Sequence, residues 1–139
     1  MQPDTTKRPD MDIEEDINLI FRHFAPLKAA RGFIAYQSHD GYVTVSGNVG
    51  SPQAKHVLLD RIKLIPGVVD CEANSLYDDE TIRIGLGNLL PDGVSANVLY
   101  GTVVLFGKLP NDNADVLKQM NAVSGIRKVV MSYRGVNID

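Results

Sequence analysis

Three histidines, His23, His39 and His56, and a single cysteine, Cys71, are the residues best suited to metal binding or nucleophilic chemistry. A zinc site gathers several such side chains at short spacing on one element or on paired elements. Here no second ligand stands at that spacing from any histidine, so no metal and no cofactor are expected. Cys71 falls on an expected strand with no basic group placed to lower its pKa, which makes it an inert, buried thiol. Gly85-Leu86-Gly87-Asn88-Leu89-Leu90 lacks the third glycine and the preceding strand of a dinucleotide-binding turn. Gly47-Asn48-Val49-Gly50 has the spacing of a phosphate-clamping G-x-x-G loop, but that loop joins two helices and this one leaves a strand. The acidic groups near Asp12 and Asp79 suit helix starts better than a paired-carboxylate mechanism, because no partner residue marks a cleft. The chain is therefore expected not to be an enzyme.

Charge leaves one further candidate. Lys55, Arg61 and Lys63, with Lys118, Arg127, Lys128 and Arg134 as their counterparts later in the chain, could contact an anionic surface such as phospholipid. A peripheral membrane helix normally adds exposed aromatic or leucine residues beside its bases, and only Leu59 projects near these lysines, so a solvated helix face is the better reading. The net charge of −3 is unevenly spread: the first 16 residues and the stretch 78–93 are acidic, and the rest is mildly basic. Neither half has the basic stripe with interleaved aromatics that nucleic-acid binding usually shows.

The elements that carry these residues recur. Gly41-Tyr42-Val43-Thr44-Val45-Ser46-Gly47-Asn48-Val49 aligns with Gly101-Thr102-Val103-Val104-Leu105-Phe106-Gly107-Lys108-Leu109 at an offset of about 60 residues, and Pro66-Gly67-Val68-Val69 aligns with Ser124-Gly125-Ile126-Arg127 at about two fewer. In the first copy Asp12 is a candidate N-cap for a helix carrying Ile13, Ile17, Ile20, Phe21 and Phe24, which Pro26 ends. Strands follow at 32–38 and 42–48 around a His39-Asp40-Gly41 turn, with Val43, Val45 and Val49 on the buried face. Ser51-Pro52 opens a helix burying Ala54, Val57, Leu58, Ile62 and Ile65, with Lys55, His56, Asp60, Arg61 and Lys63 outward. Pro66-Gly67 stops it, and a strand runs from Val68 to Ala73.

The second copy repeats the plan: a helix after Asp78-Asp79-Glu80 through Ile82, Leu86, Leu89 and Leu90, strands at 94–100 and 102–108, a helix from Asp112 to Val123 with Val116, Leu117, Met120 and Val123 inward, and a strand from Ile126 to Tyr133. Gly85 and Gly87 each cost that first helix roughly 1 kcal/mol against alanine. The expected architecture is α+β: two α-β-β-α-β units, each a three-stranded mixed sheet with two helices on one face, since a β-α-β crossover is right-handed and joins parallel strands. The units span 12–77 and 78–139, after a flexible segment 1–11. Each leaves one sheet face open. In the first unit that face carries Tyr42, Thr44 and Ser46; in the second it carries Thr102, Val104 and Phe106, so Val104 and Phe106 are candidate partner-facing residues.

This pattern resembles the BON domain family, whose units show V-x-L-x-G-x-V at a strand end, a basic helix, and a G-V-x-x-V strand start. Val43-Thr44-Val45-Ser46-Gly47-Asn48-Val49 and Gly67-Val68-Val69-Asp70-Cys71 fit closely; Val103-Val104-Leu105-Phe106-Gly107-Lys108-Leu109 and Gly125-Ile126-Arg127-Lys128-Val129 fit with conservative changes. The resemblance covers about residues 12–135 and rests on glycine and aliphatic positions, which specify fold better than function. It implies a non-catalytic module, often paired, commonly tied to bacterial envelopes, and credited with phospholipid association or, in a cytoplasmic setting, potassium sensing.

The expected function is accordingly a binding or assembly module that meets a protein partner or a second copy of itself, with an anionic phospholipid surface and a potassium-responsive sensor as alternatives. No apolar run approaches the roughly 20 residues of a membrane span, and Lys7 and Arg8 lead into acidic residues rather than an apolar signal core. The chain as it stands is expected to stay in the cytoplasm; one trimmed of a leader would belong to the envelope or periplasm.

Overall fold

The computed structural model describes residues 7–132. Residues 1–6 of the expected flexible segment 1–11, the strand end expected at Tyr133 and the basic Arg134 lie outside them, while Asp10 and Met11 of that segment are already helical.

The chain folds as α+β with two three-stranded mixed sheets. Helix α1, Asp10–His23, lays Ile13, Ile17 and Phe21 on one buried stripe. It starts two residues before the expected Asp12 cap, with Pro9 at the N-cap position and no side-chain cap bond. Pro26 ends nothing by itself: α1 stops at His23 with the Phe24 backbone extended, and Pro26 sits in the first turn of a short helix α2, Ala25–Ala30, where its missing N–H costs nothing. A 3-10 turn over Arg31–Phe33 leads into β1, Ile34–His39, which therefore begins later than the reading at 32.

β1 turns back on β2, Tyr42–Val49, through Asp40 and Gly41, both at positive φ (52° and 85°), the geometry of the tight turn favoured by twisted hairpins. Helix α3, Pro52–Lys63, is capped by Ser51, whose Oγ accepts from the Ala54 amide at 3.1 Å. It buries Ala54, Leu58 and Ile62, while Val57 is only half-buried. β3 spans Asp70–Asp78, starting after and ending well beyond the expected 68–73 segment, and pairs parallel with β2 across a bulge between Thr44 and Ser46. Together α1, α3 and β2 enclose one core on the same sheet face.

β3 runs directly into α4, Asp79–Leu86, capped by the Asp78 carboxylate on the Thr81 amide. α4 ends at Leu86, so Leu89 and Leu90 fall beyond it and are half-buried against the second core. β4, Ser95–Leu99, pairs antiparallel with β5, Thr102–Phe106, and β5 pairs parallel with β6, Lys128–Met131. Helix α5, Ala114–Asn121, has 8 residues against 12 in α3. Of its four expected inward residues only Met120 is fully buried; Val116, Leu117 and Val123 are partly exposed.

The repeat is a property of the backbone. Gly41 and Gly101 hold φ of 85° and 82°, Gly47 and Gly107 of 119° and 103°, and Gly67 and Gly125 of 94° and 92°. A Cβ on Gly47 would collide with the Phe33 carbonyl oxygen, and one on Gly107 with the Gly93 carbonyl oxygen, so both units bring the backbone before the first strand against the equivalent glycine. Gly47→Ala and Gly107→Ala are each expected to lose more than about 2 kcal/mol in urea denaturation, combining strain and collision. Gly85, at negative φ inside α4, has room for a methyl 3.7 Å from Val123. Gly85→Ala should therefore gain about 0.5–1 kcal/mol in the same measurement.

Candidate functional site

In each unit an aspartate at the start of the first helix ties down the hairpin turn. The Asp10 carboxylate accepts from Ser38 Oγ at 2.7 Å and from the amides of Asp40 and Gly41 at 2.8 and 3.1 Å. The Asp79 carboxylate accepts from the amides of Tyr100 and Gly101 at 2.7 and 3.0 Å. Tyr100 and Gly101 repeat the positive φ of Asp40 and Gly41. These carboxylates hold backbone, as the amide geometry of the turns requires, and neither faces a reacting partner.

The hydrogen bond from Ser38, then the two amides, hold the Asp10 carboxyl below the usual aspartate range. Burial pushes Asp79 up, and the nearby Asp78 charge adds to that, against the lowering by its two amides. Burial also raises the Cys71 thiol, with Lys63 pulling the other way, so this cysteine is mostly protonated at neutral pH. Among the described residues, no group of three or more His, Cys, Asp and Glu gathers to hold a metal ion.

The two units meet through a small polar and aromatic junction. Phe33 stacks on Tyr100 with ring centroids 4.6 Å apart and planes 11° from parallel, and the Arg127 guanidinium lies 5.0 Å over the same Phe33 ring. The Asn48 amide donates to the Gly125 carbonyl at 2.8 Å. Tyr100 packs against the first core and Tyr77, from β3, against the second, so each unit lends the other an aromatic ring. Nothing in the sequence paired these residues; Phe33, Asn48, Tyr77 and Tyr100 come together only through the docking.

The basic residues singled out from sequence lie on separate elements. Lys55 Nζ donates to the Leu76 carbonyl at 2.7 Å rather than pointing to solvent. The Arg61 guanidinium lies 5.5 Å over Phe24, and Arg127 is held in the junction. Lys63, Lys118 and Lys128 are exposed on α3, α5 and β6.

Val104 and Phe106 do come together. They are half-buried on the outer face of the second sheet, where they line an open groove of about 480 Å3 with Asn97, Val98, Leu99 and the α4 residues Asp79, Glu80 and Arg83. Leu99, 64% exposed, was not picked out from sequence. The hairpin register could have placed it, since it pairs with Thr102 on the face that Val104 and Phe106 share. The groove combines an apolar floor from Val98, Leu99, Val104 and Phe106 with a charged rim from Asp79, Glu80 and Arg83.

Solved structures that share this fold include two of CdsD. The C-terminal domain of CdsD, a structural protein of the Type III secretion system of Chlamydia trachomatis, superposes with a TM-score of 0.71 at 20% identity, over 89% of this chain and 67% of that one. A second CdsD structure gives 0.65 at 20% identity, over 90% of this chain and 65% of that one. The chain thus spans about two thirds of the length of the CdsD structures it matches. No family model matches the chain, and no curated protein matches it in sequence. No helix among the described residues is long and apolar enough to cross a membrane.

Asp79→Ala strips the acceptor from the buried Gly101 amide and should cost about 1–3 kcal/mol by denaturant melting. Asp10→Ala should cost less, because water reaches the Asp40 amide. The two also differ with pH. The lowered native pKa of Asp10 means its contribution is complete above the unfolded value and is lost as pH falls through the native one. Stability of the native chain relative to Asp10→Asn should therefore shrink on acidification. The raised pKa of Asp79 acts in the opposite sense, so stability relative to Asp79→Asn should grow as pH falls, measured by melts across pH 3 to 7 on the order of one unit per step.

Proposed function

We propose that the chain is a tandem of BON-like units acting as a non-catalytic assembly module, with the outer face of its second sheet as the protein-binding surface. The observation that carries this reading is the contrast between two equivalent faces. Where the first unit sets Tyr42, Thr44 and Ser46, the second sets Thr102, Val104 and Phe106 beside the exposed Leu99, an apolar surface that no element among the described residues covers fully. The fold of a structural domain from a secretion system supports the same reading at the level of architecture.

A second reading, association with anionic phospholipid, has one observation in its favour. Leu64, 82% exposed, follows the exposed Lys63 at the end of α3, the apolar-basic juxtaposition that interfacial binding uses. Against it, Lys55 bonds the Leu76 carbonyl, and Arg61 and Arg127 lie over the Phe24 and Phe33 rings on separate elements rather than forming one basic face.

Sedimentation velocity over a rising concentration series tests the first reading, with the chain itself as the first partner. The weight-average mass should rise above the 15.2 kDa of one chain. Phe106→Asp should move that rise to about tenfold higher concentration or more while leaving the melting transition in place. Co-sedimentation with vesicles of anionic phospholipid, compared with zwitterionic ones, should show no retention at either low or high salt. A mass fixed at one chain together with salt-sensitive retention on anionic vesicles alone would replace the assembly reading with the lipid one.

A further inference from the structure

The second sheet has the order β4-β5-β6, so β4 is a margin of the sheet. Asn97, Val98 and Leu99 all line the groove described above. Successive side chains of a strand point to opposite faces, so three consecutive residues share one groove only when it follows the strand's backbone edge. The groove is the open side of β4, walled by α4 on one flank and by Leu99, Val104 and Phe106 on the other.

The corresponding margin of the first unit is blocked at the equivalent position. The Ser38 amide of β1 donates to Glu14 Oε2 at 2.8 Å, so an α1 carboxylate takes the outward N–H of the edge strand. Ser38 pairs with Val43 in β2, and Val98 pairs with Val103 in β5, in the same register before the same turn. The Val98 N–H therefore also faces away from its sheet. Glu14 stands four residues after the latching Asp10; four residues after the latching Asp79 stands Arg83. A guanidinium has no acceptor. Among the described residues, no carboxylate does for Val98 what Glu14 does for Ser38.

The exposed strand also lacks the usual protection. Ser95-Ala96-Asn97-Val98-Leu99 contains no charge and no proline, and its pairing with β5 is free of bulges. Its rim carries Glu80 and Arg83, both exposed and one helical turn apart on α4. Under a two-fold axis such a pair is complementary to itself: Glu80 of one copy meets Arg83 of the other, and the reverse.

Resting on the assembly reading, we propose that β4 pairs antiparallel with β4 of a second copy of this chain, joining two three-stranded sheets into one continuous six-stranded sheet. The Val98 and Ala96 amides then find acceptors across the seam, the Glu80 and Arg83 pairs close it, and the Leu99, Val104 and Phe106 faces of the two copies become contiguous.

The test is sedimentation equilibrium on the whole chain with charge variants at exposed positions, whose folding is checked by circular dichroism. Arg83→Glu and Glu80→Arg should each weaken self-association by about tenfold or more through like-charge contacts, and the double variant Glu80→Arg/Arg83→Glu should restore it. Hydrogen exchange at the Ala96 and Val98 amides should slow as the concentration of the native chain rises. Unchanged association in both single variants, with Val98 exchange independent of concentration, overturns the pairing. If Phe106→Asp abolishes association while the charge variants do not, the copies meet face to face; the edge pairing fails and the assembly reading stands. A native chain that stays monomeric at all concentrations overturns self-association in both forms.

Discussion

The carboxylate that spans from a helix start to a hairpin turn is the constraint on which each unit is built. A two-residue turn at positive φ leaves amides pointing outward, and a buried amide without an acceptor is expensive. Asp10 and Asp79 supply that acceptor. In doing so they fix where α1 and α4 begin over their sheets, and the apolar stripe of each helix follows from that anchor: Ile13, Ile17 and Phe21 in one, Ile82 and Leu86 in the other. Core packing is non-directional and would accept several helix placements. The directional bond selects one.

The repeat was legible in sequence because it is written in glycines, and each of those glycines answers a local backbone demand. Gly41, Gly47 and Gly67 and their counterparts need positive φ, so their spacing survives wherever the turns survive. The parallel pairing and the two-layer plan followed from the order of elements alone. The latch was not legible for a physical reason: the first unit inserts α2 and a 3-10 turn between its helix and its hairpin, which displaces Asp10 from the register that aligns the strands. Asp12 was read as a cap because it precedes an apolar stripe, whereas the nearby Asp10 is held by a turn about thirty residues away in sequence. The junction was illegible for a different reason. Phe33, Asn48, Tyr77 and Tyr100 have no periodic relation, and only the docking of two folded units brings them together.

The candidate site was read in part. Alternation along β5 was enough to place Val104 and Phe106 on an open face, and the structure sets both in a groove. Alternation says nothing about what a long basic side chain reaches: Lys55 bonds the Leu76 carbonyl, and the exposed Arg127 lies over the Phe33 ring. Long basic side chains lay their stems along apolar surface and find whatever acceptor or ring lies near, which depends on neighbours from distant parts of the chain.

The same economy extends to most groups that could have carried chemistry. Asp10, Glu14, Asp78 and Asp79 all accept backbone amides, Asn48 donates to a carbonyl, and Cys71 is held as a thiol by burial. Catalysis needs polar groups whose partners are absent until substrate arrives. Here these particular polar groups serve turns, helix starts and the joint between units, while the second sheet keeps apolar surface on its outer face. Two copies of one fold have thus diverged in how they treat water. The first closes its open face with Thr44, Ser46 and the hydroxyl of Tyr42, while the second keeps valine and phenylalanine at the same places, a difference that packing within the chain does not require.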